Sequence, residues 1–198
     1  MPKPHLGPHN HTNPLIWFAA IICAILAVLV IIAGVVVFIG YLTVKPKVPK
    51  VSVTSAQLDT IYFDQASLLT LQVTIVIRAE NDNAKARASF YDTRFDLSFR
   101  GMRIARLENG PFDVGPNTTV DFHYVSQSTS IPLNPEGAES VNWSLRHGVM
   151  SFELKGATRA RWRTRIVGSV KFWLNLDCQL HLPINRTTIF PRCTSSKA

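Results

Sequence analysis

Arg159, Arg161, Arg163 and Arg165 occupy every second position of one short stretch, and they are the residues whose type and spacing come closest to a chemistry. In an extended strand alternate side chains share a face and stand roughly 6 to 7 Å apart, so four guanidinium groups form a row able to meet repeated anionic groups. A solvated outer sheet face produces the same pattern, and both readings stand at this level. Three N-x-[ST] sequons, at Asn117, Asn142 and Asn185, are N-glycan acceptors if the segment reaches the secretory lumen, and a fourth lies at Asn10. Beyond Cys23 the only thiols are Cys178 and Cys193. An even pair suits an oxidising compartment, and linking it closes a loop of about 15 residues, worth roughly 3 kcal/mol; the alternative is two unrelated thiols.

Other chemistries find little support. G-x-S-x-G, P-loop, H-E-x-x-H and C-x-x-C patterns are absent, and His123, His147 and His181 have no Cys or carboxylate at ligand spacing. His5, His9 and His11 sit in the Pro-rich leader MPKPHLGPHNHTNP, which reads as a solvated tail. The expectation is a protein that is not an enzyme and carries neither metal nor cofactor. A basic face beside Trp173 is also the mixture that binds single-stranded nucleic acid, but an anchored domain with sequons has no access to it, so no nucleic-acid partner is expected.

The stretch that must place all of this is Leu15 to Leu42, which holds no Asp, Glu, Lys, Arg or His. A cleaved signal peptide has an apolar core of about 7 to 15 residues and a basic leader. Here the core is about twice too long, and the leader holds one lysine, so the stretch reads as an uncleaved single-span anchor in the bilayer. Residues 1–14 become a disordered tail, 15–42 the transmembrane signal anchor, 43–50 a stalk, and 51–198 one domain. That domain carries nearly all of the +8 formal charge, because Lys3 is the only basic side chain before the anchor. Its surface favours acidic partners: lipid headgroups, polyuronates or acidic proteins. Orientation is contested within the sequence. Lys45, Lys47 and Lys50 follow the anchor and favour a cytoplasmic domain by the positive-inside tendency, whereas the sequons and the cysteine pair favour the outside.

Within the domain the periodicity is that of strands. Leu69, Leu71, Val73, Ile75 and Ile77 alternate with polar residues, as do Phe95, Leu97 and Phe99, then Val120, Phe122 and Tyr124. Ala79 to Ser89 is rich in Asn and Asp and reads as a surface loop, and Gly101 supplies a turn into Met102 to Leu107. Asn134 and Pro135 cap and start one short helix, with Val141 and Leu145 spaced i, i+4 before Gly148. Thr158 to Ile166 and Phe172 to Leu182 then form a hairpin about Gly168. Taking Gly168 as the centre of a three-residue loop pairs Arg159 with Asp177 and Arg163 with Trp173, and places Arg165 beside Lys171. Short strands separated by turns indicate an antiparallel sandwich or barrel.

The anchor ending in Tyr41-Leu42, the Asn81-Asp82-Asn83 segment leading to Phe90-Tyr91-Asp92, the Pro111-Phe112 pair and the basic strand leading to Cys178 together resemble the plant harpin-induced, non-race-specific disease-resistance-like family. The outer part of those proteins is a group 2 late-embryogenesis-abundant (LEA-2) domain. The family pattern has Pro where Asp82 stands here. The resemblance implies a mainly β, fibronectin-III-like antiparallel β-sandwich with one short helix, preceded by a single transmembrane helix. It further implies a plasma-membrane location with the tail cytoplasmic and the domain extracellular, the endoplasmic reticulum membrane or plasmodesmata being the alternative. It implies a non-enzymatic role in defence or abiotic stress, presenting the basic face to cell-wall polyanions or protein partners, or alternatively lipid binding or transfer at the membrane.

Overall fold

A computed structural model of the chain describes residues 14–43, 47–164 and 168–197. The tail through residue 13, Lys45 and Arg165 lie outside the described residues. The chain divides into two compact units between Pro46 and Lys47.

The described part of the first unit is a single helix, α1 (Pro14–Thr43), 30 residues long. At 1.5 Å per residue it extends about 45 Å, enough to cross a hydrocarbon core with tilt. Within its stretch Pro14–Gly40 the most apolar 18 residues have a mean hydropathy of 3.4, and none of them is buried within the described protein. Leu15, Phe18, Val30 and Val37 are among the exposed side chains, so the apolar surface runs around the whole helix rather than along one stripe. Such a surface is stable in lipid, where the helix satisfies its own backbone groups.

In the second unit the elements are Lys50–Phe63 (β1), Leu68–Asn81 (β2), Arg87–Phe99 (β3), Met102–Asn109 (β4), Phe112–Val114 (β5), Thr118–Gln127 (β6), Ile131–Pro132 (β7), helix Pro135–His147 (α2), Val149–Thr164 (β8), Gly168–Pro183 (β9), Cys193–Thr194 (β10) and Ser196–Lys197 (β11). One sheet runs β10-β1-β2-β6 with β7 beside β2; the other runs β11-β9-β8-β3-β4 with β5 beside β3. All pairings are antiparallel. Three main strands against four, with β4 staying next to β3, is the fibronectin-III-like sandwich implied by the resemblance. The core is the set of inward alternates: Leu71, Val73 and Ile75 from β2 meet Phe90, Phe95 and Leu97 from β3, Leu154 from β8, and Leu176 and Leu180 from β9.

Local sequence explains most of the joints. Arg100 (φ 51) and Gly101 (φ 79) make the two-residue turn between β3 and β4, a conformation whose twist matches that of the strands. Asn134 caps α2 by accepting a 2.8 Å bond from the Gly137 amide, and Gly148 closes it at φ 72. The buried face of α2 is Gly137, Val141 and Ser144; Leu145, expected to pair with Val141, is instead exposed.

Two further expectations are corrected. The surface loop expected over Ala79 to Ser89 shrinks to residues 82–86: β2 runs to Asn81, β3 starts at Arg87, and Asn81, Asn83, Ala86 and Ala88 are buried while Ala84 and Lys85 are exposed. Asn81 Nδ2 donates to the carbonyls of Ala86, Val114 and Gly115 at 2.8 to 3.2 Å. Asn83 pairs through both side-chain atoms with the Lys47 backbone, accepting from its amide at 2.8 Å and donating to its carbonyl at 2.6 Å. These polar residues look like a loop by composition, but here they satisfy buried backbone groups and fix the start of the domain. Asp82 lies 3.5 Å from Lys50. The hairpin register also differs: Arg159 pairs with Trp173, Arg163 with Ser169, and Lys155 takes the Asp177 partner expected for Arg159. The displacement is an even number of residues, so every side chain keeps its face. Alternation dictates parity, and only the loop sets register.

Cys178 and Cys193 form a disulfide with Cα atoms 5.6 Å apart. Cys193 belongs to β10, at the edge of the first sheet beside β1, and Cys178 to β9 of the second. Two residues on, β11 pairs with β9. The last residues thus lace the two sheets together, with Ser195 bonded to the Val51 backbone through its amide (2.7 Å) and hydroxyl (2.9 Å).

Candidate functional site

The outer face of β3, β8 and β9 carries the arginine row. Register places Arg87 of β3 opposite Arg163, Ser89 opposite Arg161 and Tyr91 opposite Arg159, while on the other flank Lys171 stands opposite Arg161 and Trp173 opposite Arg159. Two like-charge pairs, Arg87–Arg163 and Arg161–Lys171, are therefore built directly across strands, an arrangement that disfavours the sheet unless an anion is shared.

The individual members differ. The Arg159 guanidinium lies 4.4 Å from the Trp173 ring centroid and 3.3 Å from the Asp92 carboxylate. Asp92 reaches it because the register of β3 shifts between Tyr91 and Arg94, with Asp92 itself at φ 53. Arg159 is thus engaged within the fold. Arg87 has Asp113 at 3.8 Å. Arg161, Arg163 and Lys171 have no ion pair among the described residues. Arg161 and Lys171 line a cleft of about 470 Å³ with Ser89, Tyr91, Phe112 and Asp113.

The other half of the same face is neutralised. Arg106 Nε donates to Asp96 at 2.8 Å, and this bond holds the Asp96 carboxyl below the usual carboxylate range against the opposing cost of desolvation. Arg94 stands 3.7 Å from Glu108 and Lys155 3.6 Å from Asp177. Hydrogen bonding to Glu153 is the main cause raising the Lys155 pKa. Excess positive charge is therefore concentrated where β3 begins and β8 ends, the end of the sandwich at which Lys47 is held.

The structure brings Arg159, Arg161 and Arg163 together as the sequence predicts and adds Arg87 and Lys171. Arg87 lies far upstream in the chain. Its alternation with Ala88 and Phe90 marks it as outward-facing, but only strand pairing makes β3 a neighbour of β8. Asn117, Asn142 and Asn185 are all exposed, the first next to β6, the second on α2 and the third after β9. Among the described residues no group of three or more His, Cys, Asp or Glu side chains could hold a metal ion.

Among the described residues, one apolar helix of membrane-spanning length preceding an antiparallel β-sandwich with a basic outer face supports a single-pass membrane protein. No family model matches the chain. It is 21% identical over 162 residues to NDR1/HIN1-like protein 12 of Arabidopsis thaliana, covering 81% of this chain and 77% of the relative. With NDR1/HIN1-like protein 10 of the same plant it shares 26% identity over 178 residues, covering 82% and 76%. These relatives bear out the resemblance to the harpin-induced-like proteins over most of the chain.

Proposed function

We propose that this is a non-enzymatic interaction protein of the plant cell surface, acting in defence or abiotic stress response, whose basic face engages a cell-wall polyanion or an acidic partner. The defence and stress assignment rests on the family resemblance. An extracellular placement of the domain is supported by the Cys178–Cys193 disulfide and by the exposure of all three sequons. The observation that carries the anion reading is the juxtaposition of Arg87 with Arg163 and of Arg161 with Lys171. Among these cations only Arg87 has a carboxylate, Asp113 at 3.8 Å, while Arg161, Arg163 and Lys171 have no ion pair among the described residues, so an external anion relieves repulsion as well as adding attraction.

The test is binding of the full-length protein, in nanodiscs of neutral lipid, to oligogalacturonate. Affinity should fall steeply as salt rises, and the combined changes Arg161→Ala, Arg163→Ala and Lys171→Ala should weaken it at least tenfold, about 1.4 kcal/mol. Equal binding by a folded triple variant would sink the reading for this probe.

A further inference from the structure

At the opposite end of the sandwich, roughly 40 Å along β3 by strand rise, stands a second surface of different chemistry. Trp143 on α2 is 59% exposed. Its indole is nonetheless held: the His147 ring stacks on it with centroids 3.9 Å apart and planes 21° from parallel. His147 Nδ1 donates to the Trp143 carbonyl at 2.8 Å, which fixes the imidazole as the platform. Trp143 is thus a large apolar ring kept in one orientation and left in water.

The indole lines two clefts. One, of about 490 Å³, has Phe99 in its lining and Arg100, Glu136, Glu139 and Ser140 around it. The other, of about 430 Å³, shares Glu139 and reaches Asn142 and Arg146. Both are of small-molecule size. Arg100, Glu136 and Glu139 have no ion pair among the described residues, although Arg78–Asp121 and Arg106–Asp96 show how readily acid and base pair elsewhere in this domain.

A fixed indole beside unpaired donors and acceptors matches a ligand with a flat apolar face and a rim of groups that both donate and accept. A pyranose ring has this form: its C–H face packs on the aromatic ring, while carboxylates accept from its hydroxyls and a guanidinium donates to them. The larger cleft holds two carboxylates and one guanidinium, so it repels uronates and sulfated sugars. We propose that the Trp143 cleft is a binding site for neutral oligosaccharide, separate from the basic face and independent of what that face binds.

The test is calorimetric titration of the full-length protein in nanodiscs with cellohexaose, with chitohexaose and, as the anionic control, with hexagalacturonate. Saturable binding of at least one neutral probe is expected, little affected by salt, weakened tenfold or more by Trp143→Ala and several-fold by Glu139→Gln or Arg100→Ala. The Arg161, Arg163 and Lys171 triple variant should bind the neutral probe as the parent does, which separates this site from the polyanion reading. If Trp143→Ala does not fold, the two exposed polar variants report on the same cleft. Failure of both neutral probes to saturate at millimolar concentration overturns the proposal, as does undiminished binding by the folded variants.

Discussion

At the residue scale, charge on this domain is mostly arranged in short cross-strand pairs, and the exceptions carry the functional argument. Arg78 and Asp121 form a two-bonded pair at 2.7 and 2.8 Å on the outer face of the first sheet. The hydrogen bond from Arg78 is the main cause holding the Asp121 carboxyl below its ordinary value, with burial opposing it. A carboxyl depressed in the folded state contributes stability that is present above its unfolded pKa of about 3.9 and is lost as pH falls through the lower folded value. Asp121→Asn should therefore cost up to about 1 kcal/mol in urea melts near neutral pH, with the gap from the parent closing below about pH 4. A gap that stayed constant down to pH 2 would contradict the pairing. Arg161, Arg163 and Lys171 have no such partner among the described residues. Their types and alternation are plain in the sequence; their lack of carboxylates is not, because it depends on which strands lie alongside.

At the scale of elements, β8 is the strand that the rest of the second sheet must accept on both sides, with β3 on one flank and β9 on the other. Gly156 sits where β3 crowds it: a Cβ there would collide with the Arg94 carbonyl oxygen and lie 2.6 Å from the Phe95 Cα. These are backbone atoms just past the irregularity at Asp92, so they cannot swing aside. Gly156→Ala should lower the melting temperature by roughly 10 °C, whereas Gly110→Ala, with nothing within 4 Å of the added atom, should leave it unchanged. Equal melting temperatures for the two would refute the close approach. Strand existence was legible from period-two alternation, and helix α2 from its Asn-Pro start and Gly stop. The Asn81 and Asn83 clamp was not legible, because polar composition alone does not distinguish a solvated loop from side chains that satisfy buried carbonyls.

At the scale of the molecule, the folded unit is closed by its last residues. The Cys178–Cys193 bond and the β10 and β11 pairings join the edge strands of the two sheets. Replacing both cysteines by serine should cost roughly 3 kcal/mol. Limited proteolysis should then cut after Pro191 while the product through β9 stays folded; protection of that tail in the double variant would show that pairing alone suffices. By itself the sequence determined the long apolar helix, the strand-rich domain and the outward parity of the arginines, and it left the two domain cysteines as a pair or as unrelated thiols, which the structure settles as a bond. The helix, the strands and the parity rest on hydropathy and local periodicity, which act over a few neighbouring residues. Only the tertiary structure decided the hairpin register, the addition of Arg87 and Lys171 to the basic face, and the clefts around Trp143. Each depends on contacts between segments far apart in the chain, chosen by packing of the whole core rather than by any local pattern.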